Sequence, residues 1–211
     1  MIRKLFDKYG CDKGRKHGYD VYYQKLFDSY DKNINILEIG VFKGDSTLAT
    51  HEYLEDATIY GVDIFERVDI KAVRSRFNSD RVHLEKCDSM SISSIKSVMK
   101  KWNDVKFDII IDDAAHYPEA NRKTLLNFMP YLNEGGTYVI EDVWPLSKMT
   151  LKELEHKWLQ KYPERYNQLQ QNMFENNIEE VKKKYNVKLY EHDYRKKSRE
   201  PDSYLLEFKM T

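Results

Sequence analysis

The sequence predicts an α/β fold: a doubly wound, mostly parallel seven-stranded sheet with a C-terminal antiparallel hairpin. Three observations carry the prediction. Strand-length apolar runs recur at residues 34–40, 58–64, 82–89, 107–113 and after Gly135-Gly136, with helical patterns at 45–54, 68–78 and 92–102 between them. The run Ile109-Ile110-Ile111 is continuous rather than alternating, as a strand buried on both faces of a parallel sheet requires. Two alternating runs at 187–192 and 203–208 flank a basic loop at 195–199 and read as a hairpin at a sheet edge.

Composition narrows the class. A chain of 211 residues suits one domain with a sizeable core, and two would be cramped. Lys+Arg and Asp+Glu both number 35, so no global field favours nucleic acid or an anionic membrane. No apolar run approaches the roughly 20 residues that span a bilayer. Cys11 and Cys87 lie in unrelated contexts without a Cys-x-x-Cys spacing or a secretory leader, so reduced cytoplasmic thiols are expected. The 16 tyrosines suit sugar or aromatic pockets and half-buried surfaces equally.

Residues 1–33 are read as an N-terminal helical lid or loop segment and 34–211 as the main domain. The first segment runs to Asp31. It opens on a helical pattern at 2–9 and continues in an apolar stripe of Tyr19, Tyr22, Tyr23, Leu26, Phe27 and Tyr30. Residues 9–19, with Lys13 among them, form a polar loop broken by glycines. A solvated connector and a lid over bound ligands both fit it.

The rest of the chain is organised around the stretch 34–47. An apolar strand carrying Glu38 enters a loop with Gly40 and Gly44, and Asp45, Ser46 and Thr47 favour a helix start. The glycines let backbone approach a ligand, and the exposed amides of the new helix suit polar groups. The spacing is Glu-x-Gly-x-x-x-Gly, not the Gly-x-Gly-x-x-Gly of hydride-transfer folds, and an acid before the first glycine suits a cationic amino group better than a pyrophosphate. An ordinary strand-to-helix turn fits as well. Asp63 closes the second strand about 20 residues on, where an acid accepts hydrogen bonds from ribose hydroxyls. Asp88 and Ser89 end the third strand, placed for an adenine edge or for a simple turn.

Two strand ends concentrate the chemistry: Asp112-Asp113-Ala114-Ala115-His116, and Glu141-Asp142 after a Gly-Gly turn and a fifth strand. Parallel neighbours deliver these ends to one edge, so Asp113, Glu141 and Asp142 are expected to converge. Clustered carboxylates repel unless a cation joins them, and hard oxygen donors favour Mg²⁺, Mn²⁺ or Ca²⁺. His116 lies close enough for a neutral base. Acids that cap the following helices are the competing explanation. The charged stretch 151–185 reads as helical with a break at Pro163. Its stripe of Leu154, Trp158, Tyr162, Tyr166, Leu169, Met173 and Phe174 fits core packing, cover for an acceptor site, or contact with a homo-oligomeric partner chain.

The glycine loop resembles motif I of class I S-adenosylmethionine methyltransferases, and five parallel strands plus a hairpin is the Rossmann-like layout of that class. Four pieces narrow the resemblance: Tyr9-Gly10-Cys11-Asp12-Lys13-Gly14 with His17 and Tyr19, Leu37-Glu38-Ile39-Gly40-Val41, Ile111-Asp112-Asp113-Ala114-Ala115-His116, and Gly135-Gly136-Thr137-Tyr138-Val139-Ile140-Glu141-Asp142. Together they resemble the metal-dependent macrocin and mycinamicin type of sugar O-methyltransferases. The resemblance implies that Glu38, Gly40 and Asp63 hold S-adenosylmethionine, that Asp113, Glu141 and Asp142 hold Mg²⁺, and that His116 is the base. Gly44, Asp88, Ser89, Asp112 and Lys13 join the cofactor set, and Asp113 joins His116 in the catalytic set.

Two departures limit the scope. Macrolide-modifying members carry a large extra N-terminal domain, and Ala114-Ala115 stands where Gly-Ser is common. The implied acceptor is therefore a sugar-containing small molecule of a glycan, nucleotide-sugar or glycosylated-metabolite route, not a macrolide. A catechol-type O-methyltransferase on an aromatic diol and a non-catalytic cofactor-binding scaffold are the alternatives.

Overall fold

The computed structural model describes residues 1–30 and 33–211; Asp31, the expected end of the first segment, lies outside them. The N-terminal segment forms α1 (Ile2–Tyr9), α2 (Asp12–Arg15) and α3 (Asp20–Asp28). The chain then alternates through β1 (Asn35–Ile39), α4 (Asp45–Tyr53), β2 (Thr58–Asp63), α5 (Ile70–Arg74), β3 (Val82–Lys86), α6 (Ile92–Lys101), β4 (Phe107–Asp112), α7 (Pro118–Phe128) and β5 (Leu132–Ile140). Next come α8 (Leu151–Leu154), α9 (Lys157–Lys161) and α10 (Gln168–Tyr185), and last β6 (Val187–Asp193), α11 (Arg195–Ser198) and β7 (Tyr204–Met210). No helix among the described residues is long and apolar enough to cross a membrane.

The seven strands lie in the order β3-β2-β1-β4-β5-β7-β6, with β1 to β5 parallel and β7 antiparallel between β5 and β6. The expected mixed sheet and its hairpin are both present. Strand order reverses between β1 and β4, which sets the ligand crevice of such sheets at the carboxyl ends of those two strands. Register fixes what meets there: Glu38 pairs with Ile111, Ile39 with Asp112, and Asp112 with Ile140.

Alternation along the strands explains the continuous apolar run. Ile109 and Ile111 join Ile36, Val139 and Leu205 under Ile2, Phe6, Tyr23, Phe27 and Ala49 of α1, α3 and α4. Ile110 points the other way, with Leu37, Tyr138 and Phe208, against Met99, Leu125, Phe128, Phe174 and Ile178 of α6, α7 and α10. The N-terminal helices therefore cover one face of the sheet over β1, β4, β5 and β7, together with α4.

Several expectations need correction. The helix at 68–78 shrinks to the five residues of α5, capped by Asp69, whose carboxylate accepts from the Lys71 amide at 3.0 Å. The third strand stops at Lys86, leaving Asp88 and Ser89 in the turn. Gly135 and Gly136 sit inside β5, where the pairing with β4 shifts register between Phe107 and Ile109. The stripe in 151–185 is not one packing surface: Trp158, Leu169 and Met173 are exposed, and α10 buries Gln171, Phe174, Ile178 and Val181. Helix α7, which the apolar runs do not single out, starts with Pro118 in its first turn.

The close approach of β1 and β4 depends on Gly40. Its φ is 96°, and a Cβ there would lie 2.2 Å from the Asp113 carbonyl oxygen. The Asp113 amide donates to the Ile39 carbonyl at 2.8 Å, so neither backbone can withdraw without losing that bond. Gly40→Ala is expected to destabilise the protein by about 2–4 kcal/mol in urea unfolding; a midpoint equal to wild type would show that the two strand ends move apart at little cost.

Candidate functional site

Glu38 lies at the end of β1, 3% exposed. Its Oε2 accepts from the Thr47 hydroxyl of α4, the Ser46 hydroxyl also favours the charged carboxylate, and Oε1 is buried with no close hydrogen bond among the described residues. Burial pushes its carboxyl upward despite the nearby charge of Lys13. An orphaned buried carboxylate oxygen suits a donor carrying positive charge.

Asp63 ends β2 half-buried, and its two oxygens accept from backbone amides: Oδ2 from Phe42 at 2.8 Å, Oδ1 from Phe65 at 2.7 Å. Both donors have left-handed backbones, with φ of 48° and 49°. The carboxylate thus ties the glycine loop to the end of β2 while each oxygen keeps acceptor capacity. Gly44, at φ 80°, caps α4 against Val73 and Phe77. The two loop glycines are therefore demanded by protein packing as well as by any ligand. On the outer side, exposed Asp88 accepts from the Met90 amide at 2.9 Å, and the Ser89 carbonyl accepts from Asn127 at 3.3 Å.

Asp112 and Asp113 diverge because strand alternation sends them to opposite faces. Asp112 is 2% exposed and accepts from the Tyr138 hydroxyl at 3.3 Å; burial pushes its carboxyl up to about 7. Asp113 meets His116 and Asp142 instead: one ligand atom from each of the three lies within 4.8 Å of the others. His116 Nε2 is 3.6 Å from Asp113 Oδ1. His116 and Asp142 have φ of 53° and 52°, a left-handed conformation that costs free energy and gathers at functional sites. Burial pushes Asp142 up to about 6. Burial also disfavours a charged His116, but the carboxylates of Asp142, Asp113 and Asp112 outweigh it and raise the imidazole above its ordinary value.

Glu141, 1% exposed, faces the N-terminal segment. Lys13 Nζ donates to its Oε1 at 2.7 Å and to Asp113 Oδ2 at 2.5 Å, and the Tyr23 hydroxyl donates to the same Glu141 oxygen. Burial disfavours the Lys13 ammonium, yet Asp113, Glu141 and Glu38 hold it charged far above the usual range. Asp142 Oδ1 accepts from the Tyr19 hydroxyl at 2.7 Å and lies 3.3 Å from His17 Nδ1. His17 is 1% exposed and shares a hydrogen bond with Ser203 at 2.8 Å. The loop is therefore no solvated connector at Lys13 or His17, and the group that the sequence sets by the cofactor engages the acids. Sequence reading places Tyr23 in an apolar stripe and passes over Ser203. A buried tyrosine hydroxyl needs a partner, which is the available signal for Tyr23.

A methyltransferase-domain family matches residues 37–143. The chain is 30% identical over 150 residues to the 8-demethyl-8-alpha-L-rhamnosyl tetracenomycin-C 2'-O-methyltransferase of Streptomyces olivaceus, covering 65% of this chain and 37% of that protein. Identity to the mycinamicin VI 2''-O-methyltransferase of Micromonospora griseorubida is 26% over 152 residues, 68% of this chain and 36% of that one. The chain thus spans little more than a third of the length of these relatives. Among solved structures, the mycinamycin-pathway methyltransferase MycE in complex with Mg and SAH superposes with a TM-score of 0.68 at 21% identity, over 99% of this chain and 54% of that one. The likeness shows a shared fold.

Asp112 gives a signed pH dependence. Between the ordinary aspartate value of 3.8 and about 7 the folded state keeps a proton that the unfolded chain has lost. Its contribution to stability is complete below that window and is lost as pH rises through it. In urea unfolding of metal-free protein, Asp112→Asn is expected to flatten the fall between pH 4 and 7 by at most about 1.4 kcal/mol per pH unit. Identical slopes in both proteins would remove Asp112 as its source.

Proposed function

The chain belongs to this methyltransferase-domain family, and we propose on that premise that it is a divalent-metal-assisted O-methyltransferase, moving the methyl group of S-adenosylmethionine to a sugar hydroxyl. The observation that carries the reading is the meeting of Asp113, His116 and Asp142 at the switch point of the sheet, beside Glu38 at the end of β1. The tetracenomycin and mycinamicin relatives methylate sugar-bearing small molecules by their names, and the acceptor class follows from them.

The residues fit the cofactor. Glu38 Oε1 is the free acceptor for an amino group, and Asp63 is anchored by two amides with capacity left for ribose hydroxyls. Gly40 and Gly44 shape the loop between them, and Asp88 and Ser89, beyond the end of β3, would face the adenine. The donor set also fits a hard cation: Asp113 and Asp142, which meet at His116, would hold Mg²⁺, or Mn²⁺ or Ca²⁺, through oxygen, and Glu141, whose Oε1 accepts from Lys13 and Tyr23, would be the third donor. When bound, such an ion lowers the pKa of an acceptor hydroxyl and orients a vicinal diol.

The chain's own residues supply the rest. The methyl carbon leaves the sulfonium sulfur, which keeps the bonding pair, and joins the acceptor oxygen in line; positioning by Glu38 and Asp63 provides much of the rate. The hydroxyl proton passes to the His116 imidazole, which its strained backbone aims toward Asp113. The buried thiols of Cys11 and Cys87 are free, which suits a reducing, cytoplasmic setting.

Calorimetry on wild type is expected to show S-adenosylhomocysteine binding, weakened at least roughly tenfold by Asp63→Ala through lost charged hydrogen bonds. His116→Ala is expected to keep that affinity while turnover on a sugar acceptor falls about 10²–10⁴-fold. An active alanine variant would take the base role from His116, and turnover on aromatic diols alone would make the enzyme catechol-type.

A further inference from the structure

The acidic cluster holds a cation of its own, and that cation comes from the segment least connected to it in sequence. Lys13 is 2% exposed, and its ammonium bridges Asp113 Oδ2 and Glu141 Oε1. Tyr23 closes Glu141 from the same side, and Tyr19 and His17 hold Asp142. Asp113 thereby divides its oxygens: Oδ2 faces inward to Lys13, and Oδ1 faces His116.

We infer that Lys13 is a positioning residue acting as a resident counter-ion, which holds the carboxylates in place without metal and lowers their affinity for the divalent ion. The inference rests on the reading of Asp113, Glu141 and Asp142 as a divalent-cation site. Its physics is a competition. Burying these carboxylates without a cation is strongly unfavourable, so an internal ammonium stabilises the metal-free fold. The same fixed positive charge repels an arriving divalent ion across a short, poorly screened distance. A lysine with a merely structural role predicts the opposite sign, because removing it would loosen the ligands and weaken metal binding.

The test compares wild type, Lys13→Met and Lys13→Arg after chelation, with Mn²⁺ alone titrated by electron paramagnetic resonance and thermal unfolding followed with and without Mg²⁺. Lys13→Met should unfold roughly 6 °C or more below wild type without metal. It should also bind Mn²⁺ at least tenfold more tightly and gain more from Mg²⁺ than wild type does, while Lys13→Arg stays near wild type in both. Folding of Lys13→Met only when metal is added supports the inference. Mn²⁺ affinity equal to or weaker than wild type overturns it. Should Lys13→Met stay unfolded even with metal, Lys13→Gln, which keeps a donor without the charge, carries the same test with the same two outcomes. Wild type that binds no Mn²⁺ would sink the cation site itself, a result distinct from a wild type that binds while the variants do not differ.

Discussion

Carboxylates placed out of water at the carboxyl ends of β4 and β5 set the terms for the rest of this structure. Glu141 and Asp112 are almost fully buried, and Asp113 and Asp142 stand beside them. Charges there are costly unless paired and hydrogen-bonded. For Glu141, Asp113 and Asp142 the compensation comes from Lys13, His17, Tyr19 and Tyr23, so the N-terminal segment must lie where those side chains reach the strand ends, while Asp112 has the Tyr138 hydroxyl. The apolar faces of α1 and α3 hold them there, through Ile2, Phe6, Tyr23 and Phe27 against Ile36, Ile109, Ile111 and Val139. Packing of the N-terminal segment and charge balance of the site are therefore one constraint.

The other half of the site is built by backbone. Gly40 lets β1 and β4 approach closely, which brings Glu38 beside the acids. Asp63 draws Phe42 and Phe65 into left-handed conformations, and His116 and Asp142 adopt the same conformation next to each other in space. Strain of this kind persists only where neighbours over-determine it. Here the strands on one side and the N-terminal polar layer on the other do so. The geometry sets the buried Glu38 carboxylate, the amide-bound Asp63, the carboxylates of Asp113 and Asp142 and the His116 imidazole along one sheet edge, the arrangement on which the proposed methyl transfer draws.

Much of this is legible in the sequence because it rests on local pattern. Apolar period marks the strands, and acids at strand ends lie together once neighbouring strands are parallel, so Asp63, Asp113 and Asp142 can be placed from order alone. What local pattern misses is partnership across distance. Lys13 lies 100 residues from Asp113 and 128 from Glu141, and nothing in residues 9–19 says that its ammonium is buried between them. Tyr23 keeps helical spacing, so its hydroxyl contact with Glu141 is invisible to a stripe of apolar positions. The residues at 68–78 have helical content, but the chain leaves α5 after Arg74, whose guanidinium donates to the Leu84 carbonyl. Leu169 and Met173 follow the expected stripe, yet α10 turns Phe174, Ile178 and Val181 to the core.

A crystal of the protein grown with S-adenosylhomocysteine and Mn²⁺, measured at the manganese absorption edge, tests metal-assisted methyl transfer most directly. One strong anomalous peak is expected among Asp113, Glu141 and Asp142, with the cofactor's amino group on Glu38 and its ribose on Asp63. Cofactor bound in that crevice with no peak at the carboxylates would contradict the metal-assisted reading and leave the acids as partners of Lys13, His17, Tyr19 and Tyr23.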